Sequence, residues 1–196
     1  MVFGLCACAG QSADDSATDA SGYLTKEDIT VNETFTNDAD GEHAIEVNGE
    51  SAEYSNIGVT KTGNADGDEA DFYGENSAVF ATEKGTLTIA DSLIETNGTH
   101  ANAVFSYGEG TTVNISDSVI ETQGDCSGGL MTTGGGTMNA ENLTINTSGR
   151  SSAAIRSDRG GGTVNVSKGY YKTTGMGSPV VYSTADITVS DAYMES

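Results

Sequence analysis

The stretch GTLTIADSLIETNG (Gly85–Gly98) returns as GTTVNISDSVIETQG (Gly110–Gly124), GTMNAENLTINTSG (Gly136–Gly149) and GTVNVSKGYYKTTG (Gly162–Gly175). A shorter copy, DITVSDAYMES (Asp186–Ser196), stands at the end of the sequence. Each full copy is followed by a brief apolar run: ANAVFSYGEG, SGGLMTTGGG, SSAAIRSDRGGG and SPVVYSTAD. Leu87, Val113, Met138 and Val164 recur at 25 or 26 residues, and Ile187 follows 23 later. Self-similarity at a fixed period decides the architecture before any local assignment does.

The columns of this alignment assign faces, because side chains alternate along a strand. Leu87, Val113, Met138, Val164 and Ile187 form one apolar column, and Ile89, Ile115, Ala140, Val166 and Val189 form another two residues on. Polar Thr88, Asn114, Asn139, Asn165 and Thr188 stand between them. A bend is expected at Asp91, Asp117, Asn142, Lys168 and Asp191. A second strand then aligns Ile94, Ile120, Ile145, Tyr171 and Met194, with a Thr/Ser column and a glycine turn after it. A third strand places Val79, Val104, Leu130, Ile155 and Val180 inward, with Ala81, Ser106, Thr132, Ser157 and Tyr182 two residues later. Working backwards, the same pattern reaches His43, interrupted after Gly63 by the insertion NADGDEADFYGE (Asn64–Glu75). Tyr23–Phe35 is expected to be a first strand or a cap.

Three short strands per turn of about 26 residues, with apolar positions that stack from turn to turn, predict an all-β parallel solenoid. A helical solenoid is excluded, since no stretch keeps a 3.6-residue period. The residues resemble the right-handed parallel β-helix family, the pectate-lyase-like superfold shared by polysaccharide lyases and many bacterial surface adhesins. That resemblance covers about residues 43–196 and rests on architecture, so it speaks to fold more than to function. The last copy stops after its second strand, which is the expectation for a fragment of a longer protein.

The start, VFGLCACAGQSADDSATDASGY, is expected to lie outside the fold. Leu5-Cys6-Ala7-Cys8 followed by a Ser/Asp/Ala-rich tether resembles the lipobox of bacterial lipoproteins. By that resemblance Cys8 would carry the lipid, residues 1–22 would be a truncated signal and tether, and residues 23–196 the β-helix domain. The basic leader and most of the apolar core of such a signal are missing from this sequence. The implied location is the cell surface, with membrane contact only through the lipid.

A net charge of −21, from 29 acidic and 8 basic residues, excludes nucleic acid as a partner, since phosphates need cationic surfaces. The three cysteines (Cys6, Cys8 and Cys126) have no framework spacing. The Asn-Thr-Asp, Asp-Asp, Gly-His-Gly and Arg-x-Lys elements of the galacturonase members are absent, and no residue is assigned a catalytic role. Arg156 and Lys172 are the basic residues that fall within regular strands. No cofactor is required by the pattern. Ca²⁺ is the candidate ion, with Asn64, Asp66, Asp68 and Asp71 of the insertion as candidate oxygen ligands. The Asp91/Asp117/Asp191 and Glu95/Glu121/Glu195 ladders stack like charges, which a divalent cation would relieve; the preferred reading is that Asp makes the bend and Glu keeps the surface wet.

Outward apolar residues are the candidate binding surface. Phe80, Phe105, Met131 and Val181 flank the inward column of the third strand, and Leu93, Val119, Tyr170 and Tyr193 flank that of the second. Exposed, such ladders mark interaction surfaces; covered by another part of the chain, or shifted in register by one, they do not. Phe80, Phe105, Met131, Tyr170 and Tyr193 would suit a glycan or a protein ligand, aromatic faces packing on sugar rings. The leading expectation is therefore a non-catalytic, adhesin-like or carbohydrate-binding surface protein. The competing expectations are a fragment of a polysaccharide lyase or glycoside hydrolase, and a structural spacer without ligand.

Overall fold

The computed structural model describes residues 22–196, and it is a parallel β-solenoid of about six turns. The lipobox-like Cys6 and Cys8 lie outside the described residues. Three strand stacks run the length of the solenoid. The first holds β3 (Ser51–Ser55), β6 (Thr86–Ala90), β9 (Thr112–Ser116) and the leading halves of β12 (Gly136–Thr147) and β14 (Gly162–Thr173), then β16 (Asp186–Ser190). The second holds β1 (Glu33–Asn37), β4 (Ile57–Lys61), β7 (Leu93–Thr96), β10 (Val119–Thr122), the trailing halves of β12 and β14, and β17 (Tyr193–Glu195). The third holds β2 (Ile45–Asn48), β5 (Val79–Thr82), β8 (Val104–Tyr107), β11 (Leu130–Thr133), β13 (Ile155–Ser157) and β15 (Val181–Tyr182).

All these pairings are parallel, and up to the last turn of the third stack they are in register with the sequence columns. Leu87, Ile89, Ile94, Val104 and their equivalents fill one continuous core. The single register error falls in the last turn. Val181, not Val180, pairs with Ile155, and Tyr182 pairs with Arg156. The spacing between these turns is 26 residues, so Tyr182 points outward, beyond Arg156 and Met131, rather than inward.

The bend between the first and second strands is a column of left-handed residues. Asn56, Asp91, Asp117, Asn142, Lys168 and Asp191 have φ between 48° and 61°. Asn and Asp tolerate that region best among residues with a side chain, which is why they recur there. The Asp column is interrupted in its middle by Asn142 and Lys168: Asn142 donates to the Asp117 carboxylate at 2.8 Å, and Lys168 pairs with the neighbouring Glu141 at 2.6 Å.

The turn after the second strand needs glycine for a different reason. A Cβ on Gly98, Gly124, Gly149 or Gly175 would lie 1.7–1.9 Å from the glycine carbonyl oxygen of the preceding turn. Beside these glycines runs a buried serine column. The Ser127, Ser152 and Ser178 hydroxyls donate to the carbonyls of Gly98, Gly124 and Gly149. The hydroxyl oxygens of Ser127, Ser152 and Ser178 in turn accept the N–H of Ala101, Ser127 and Ser152 at 2.9 Å, so both sides of each hydroxyl are used.

Two irregular segments lie against the outside of the stacks. The first is Tyr23–Val31, which contains a short 3-10 turn at Lys26–Asp28. It runs along the second-strand face from the last turn to the first. The Tyr23 ring meets Tyr170 and Tyr193 with centroids 5.4 and 6.3 Å away, and Val31 reaches Gly58. Between them the Lys26 ammonium bridges Glu95 at 2.7 Å and Glu121 at 2.5 Å. The stacked glutamates therefore receive a cation from the chain itself. The second segment is the insertion, which forms the helix α1 (Gly67–Phe72) across the third-strand face. Asp68 and Glu69 occupy its first turn, where the helix dipole favours acids.

The N-terminal end is closed by the loop of residues 38–43. Beneath it Lys61 takes the place that threonine holds in the turns above (Thr96, Thr122, Thr147, Thr173). It is 0 % exposed, and its ammonium donates to the Ala39 carbonyl at 2.6 Å. Burial pulls its pKa below the usual lysine value, against the smaller opposing effects of Asp40, Asp38 and Glu42.

Candidate functional site

The outward apolar ladders are not open surfaces. Phe80, Phe105 and Met131 form a second small core with Tyr107, and Phe105 and Met131 are 0 % exposed. The insertion covers them. Gly74 packs directly on the Phe80 ring, Tyr73 meets Tyr107 edge-on at 5.7 Å, and the Thr133 hydroxyl donates to the Phe72 carbonyl at 2.6 Å. His43 stacks on the other side of Phe80 at 4.6 Å. On the second-strand face Tyr170 is buried under Tyr23 and stacks on Tyr193 at 5.5 Å. Of the two alternatives for these ladders, the covered one describes Phe80, Phe105, Met131 and Tyr170, with half-buried Tyr193 beside Tyr23: they seat the chain's own irregular segments, since apolar surface left in water is the costlier arrangement.

The four candidate calcium ligands do not converge. The Asn64 side-chain oxygen accepts the Thr99 N–H at 2.9 Å, Asp66 is the residue before α1, and Asp68 pairs with Arg159 at 2.7 Å. Asp71 points the other way, and its carboxylate lies 2.9 Å from His100 Nδ1. The insertion is held down by these contacts and by Arg159, whose guanidinium sits 3.7 Å above the centre of the Phe72 ring.

What the structure does bring together is a cleft of about 300 Å³ where α1 meets the later turns. Asp71, Cys126, Ser151, Ala153, Arg156 and Tyr182 are among the residues that line it. Its floor is formed by Cys126, Ser151 and Gly177, turn positions at the start of the third strand whose column continues behind the cleft to His100. His100, Cys126, Ser151 and Gly177 occupy equivalent places in successive turns, all left-handed, with φ of 55°, 56°, 56° and 70°. The column is laced by backbone bonds: the N–H of His100, Cys126 and Ser151 donate to Asp125, Arg150 and Met176 carbonyls at 2.9, 2.8 and 3.1 Å. Arg156 forms the wall. Asp158 fixes it through Nε at 3.1 Å and a second guanidinium nitrogen at 2.6 Å, and it lies 5.8 Å from the Phe72 ring and 5.6 Å from that of Tyr182. Tyr182 is 44 % exposed and forms the rim.

Asp71, His100 and Cys126 present their ligand-type atoms within 4.8 Å of one another. A cysteine, a histidine and an aspartate together raise the question of nucleophilic catalysis. The electrostatics point the other way. Burial pushes the Cys126 thiol pKa up, with Asp71 and Asp125 adding to it and outweighing Arg150 and Arg156. A catalytic cysteine needs the reverse, a stabilised thiolate. Elsewhere, Lys172 is paired with Glu195 at 2.8 Å, on another face.

Spacing along the sequence gives neither Cys126 nor His100 a partner. The signal that joins them is that both occupy the same column, one turn apart, where the later turns have Ser151 and Gly177. Tyr182 was hidden by the register error in the last turn. No family model, no curated protein and no solved structure matches the chain.

Proposed function

We propose that this chain is a non-catalytic, carbohydrate-binding β-solenoid, and that its sugar site is the cleft between α1 and the last turns. The observation that carries this reading is the pairing of a half-open aromatic face, Tyr182, with a cleft of about 300 Å³ lined by Asp71, Ser151 and Arg156. That volume is at the small end of ligand pockets, the scale of a single sugar ring or a chain end. An aromatic face packs on the C–H side of a sugar ring, while carboxylate, hydroxyl and guanidinium groups bond its hydroxyls. Arg156 is locked in place before any ligand arrives, so little ordering is required on binding. The net charge of −21 disfavours polyanionic glycans and favours neutral ones. Display at a bacterial cell surface, through a lipid on Cys8, is part of the same proposal and is supported by the lipobox-like Leu5–Cys8 segment.

A glycan array probed with the full chain tests the reading. Binding to neutral glycans, lost in Tyr182→Ala and Arg156→Ala and kept in Asn139→Ala on the opposite side of the register, is the expected result. Absence of any glycan signal from folded protein, or signal that survives both cleft substitutions, would overturn it.

A further inference from the structure

We infer that Asp71, His100 and Cys126 form a binding site for a borderline transition-metal ion, of which zinc(II) is the type, at the inner end of the cleft. The inference shares Asp71 with the sugar reading but needs no glycan, so each can be tested without the other. The first support is chemical. One thiolate, one imidazole and one carboxylate are the donor set that Zn²⁺ takes in tetrahedral sites, and a thiolate selects against Ca²⁺ and Mg²⁺. The second is geometric. The three ligand atoms all lie within 4.8 Å of one another. Metal–ligand bonds of about 2.0–2.3 Å place tetrahedral ligands roughly 3.3–3.8 Å apart, so side-chain movements on the order of 1 Å would close the site. Such movement requires no change in the stacked turns, since each ligand is carried at the tip of a side chain.

The third support is an unmet polar atom. His100 Nδ1 is buried and 2.9 Å from the Asp71 carboxylate, yet it lies off the line that a hydrogen bond needs. Buried polar atoms are nearly always paired, and an exception calls for an explanation. A metal ion accepting both the nitrogen and the carboxylate oxygen supplies one. The fourth support is the origin of the three residues. The repeat puts His100 and Cys126 in the same column, on adjacent turns, so their side chains are neighbours by construction. Asp71 comes from the insertion, the one segment that breaks the repeat, and is delivered by α1 onto that column. A metal here would clamp the insertion to the solenoid, and its remaining coordination position would face the cleft.

The test is titration of the reduced full chain with Zn²⁺, and with Co²⁺ as a spectroscopic reporter. Cys6→Ser and Cys8→Ser are included so that Cys126 is the sole thiol. One equivalent of metal and a near-ultraviolet thiolate-to-cobalt band are expected. Both are lost in Cys126→Ser and in His100→Gln, and the affinity falls in Asp71→Asn. Far-ultraviolet circular dichroism of each variant checks that the solenoid persists. A folded wild-type chain that takes up no stoichiometric metal would overturn the inference. So would uptake that His100→Gln and Cys126→Ser leave unchanged, or a cobalt spectrum without the thiolate band. Because no sugar is present, failure here leaves the glycan-array result standing, and the reverse is equally true.

Discussion

The first-strand face and the third-strand face have the same backbone and opposite outward chemistry. On the first, Thr88, Asn114, Asn139 and Asn165 point out, and the amides form a chain of hydrogen bonds: Asn139 to Asn114 at 2.9 Å and Asn165 to Asn139 at 3.0 Å. This ladder pairs the amides with one another. On the third, Phe80, Phe105 and Met131 point out and are buried beneath an inserted helix. The second-strand face sits between the two, with its tyrosines and glutamates crossed by Tyr23–Val31. The difference teaches that each apolar outward column marks a place where the chain folds back on itself. The cleft that Tyr182 and Arg156 line lies at the edge of such a cover, beside α1.

Substitution on each face should break this comparison if it is wrong. The largest expected effect is on the covered face: Phe105→Ala removes a side chain with no solvent exposure, and the loss should be about 3–5 kcal/mol by urea unfolding. A loss below 1 kcal/mol would mean that the insertion does not cover Phe105 in solution. On the second-strand face Tyr23→Ala should cost less, about 1–3 kcal/mol, because it uncovers Tyr170 without opening the main core. Increased binding of a hydrophobic dye should accompany it.

A smaller effect, readable through pH, is expected at the covered end. The folded-state pKa of Lys61 lies below its ordinary value of 10.5, so the unfolded chain holds the proton more tightly. The stability of the wild type relative to Lys61→Met should therefore rise with pH, from the depressed folded value up to 10.5. A difference that is flat from neutral to alkaline pH would show that the lysine is solvated. Least affected should be the open face, where Asn139→Ala is expected to change stability by under about 0.5 kcal/mol.

The core of the solenoid was legible because its information is repeated. Leu87 could be assigned inward on the strength of Val113, Met138 and Val164, and the pairings bear that out. Bends at Asp91 and Asp117 followed from the same columns. The covers were not legible, because each occurs once. Nothing in NADGDEADFYGE says which face a short helix will lie on; that depends on the large rings of Phe80, just beyond it, and of Phe105, a full turn later. Lys61 was missed for a related reason. It replaces a threonine in a column, and only the loop that closes over it turns the substitution into a buried cation. The cleft was missed because its members come from three turns and the insertion, and one of them, Tyr182, sits where the register was displaced by a residue.

The segment Tyr23–Val31 has a consequence for how the molecule comes apart. A stacked array with only nearest-neighbour contacts frays from its ends, one turn at a time. Here a single length of chain touches Tyr193 in the last turn, Glu121 and Glu95 in the middle, and Gly58 near the beginning. Loosening of the turn that holds Tyr193 therefore loosens the same length of peptide that shields Gly58, so turns with no direct contact are coupled through one segment.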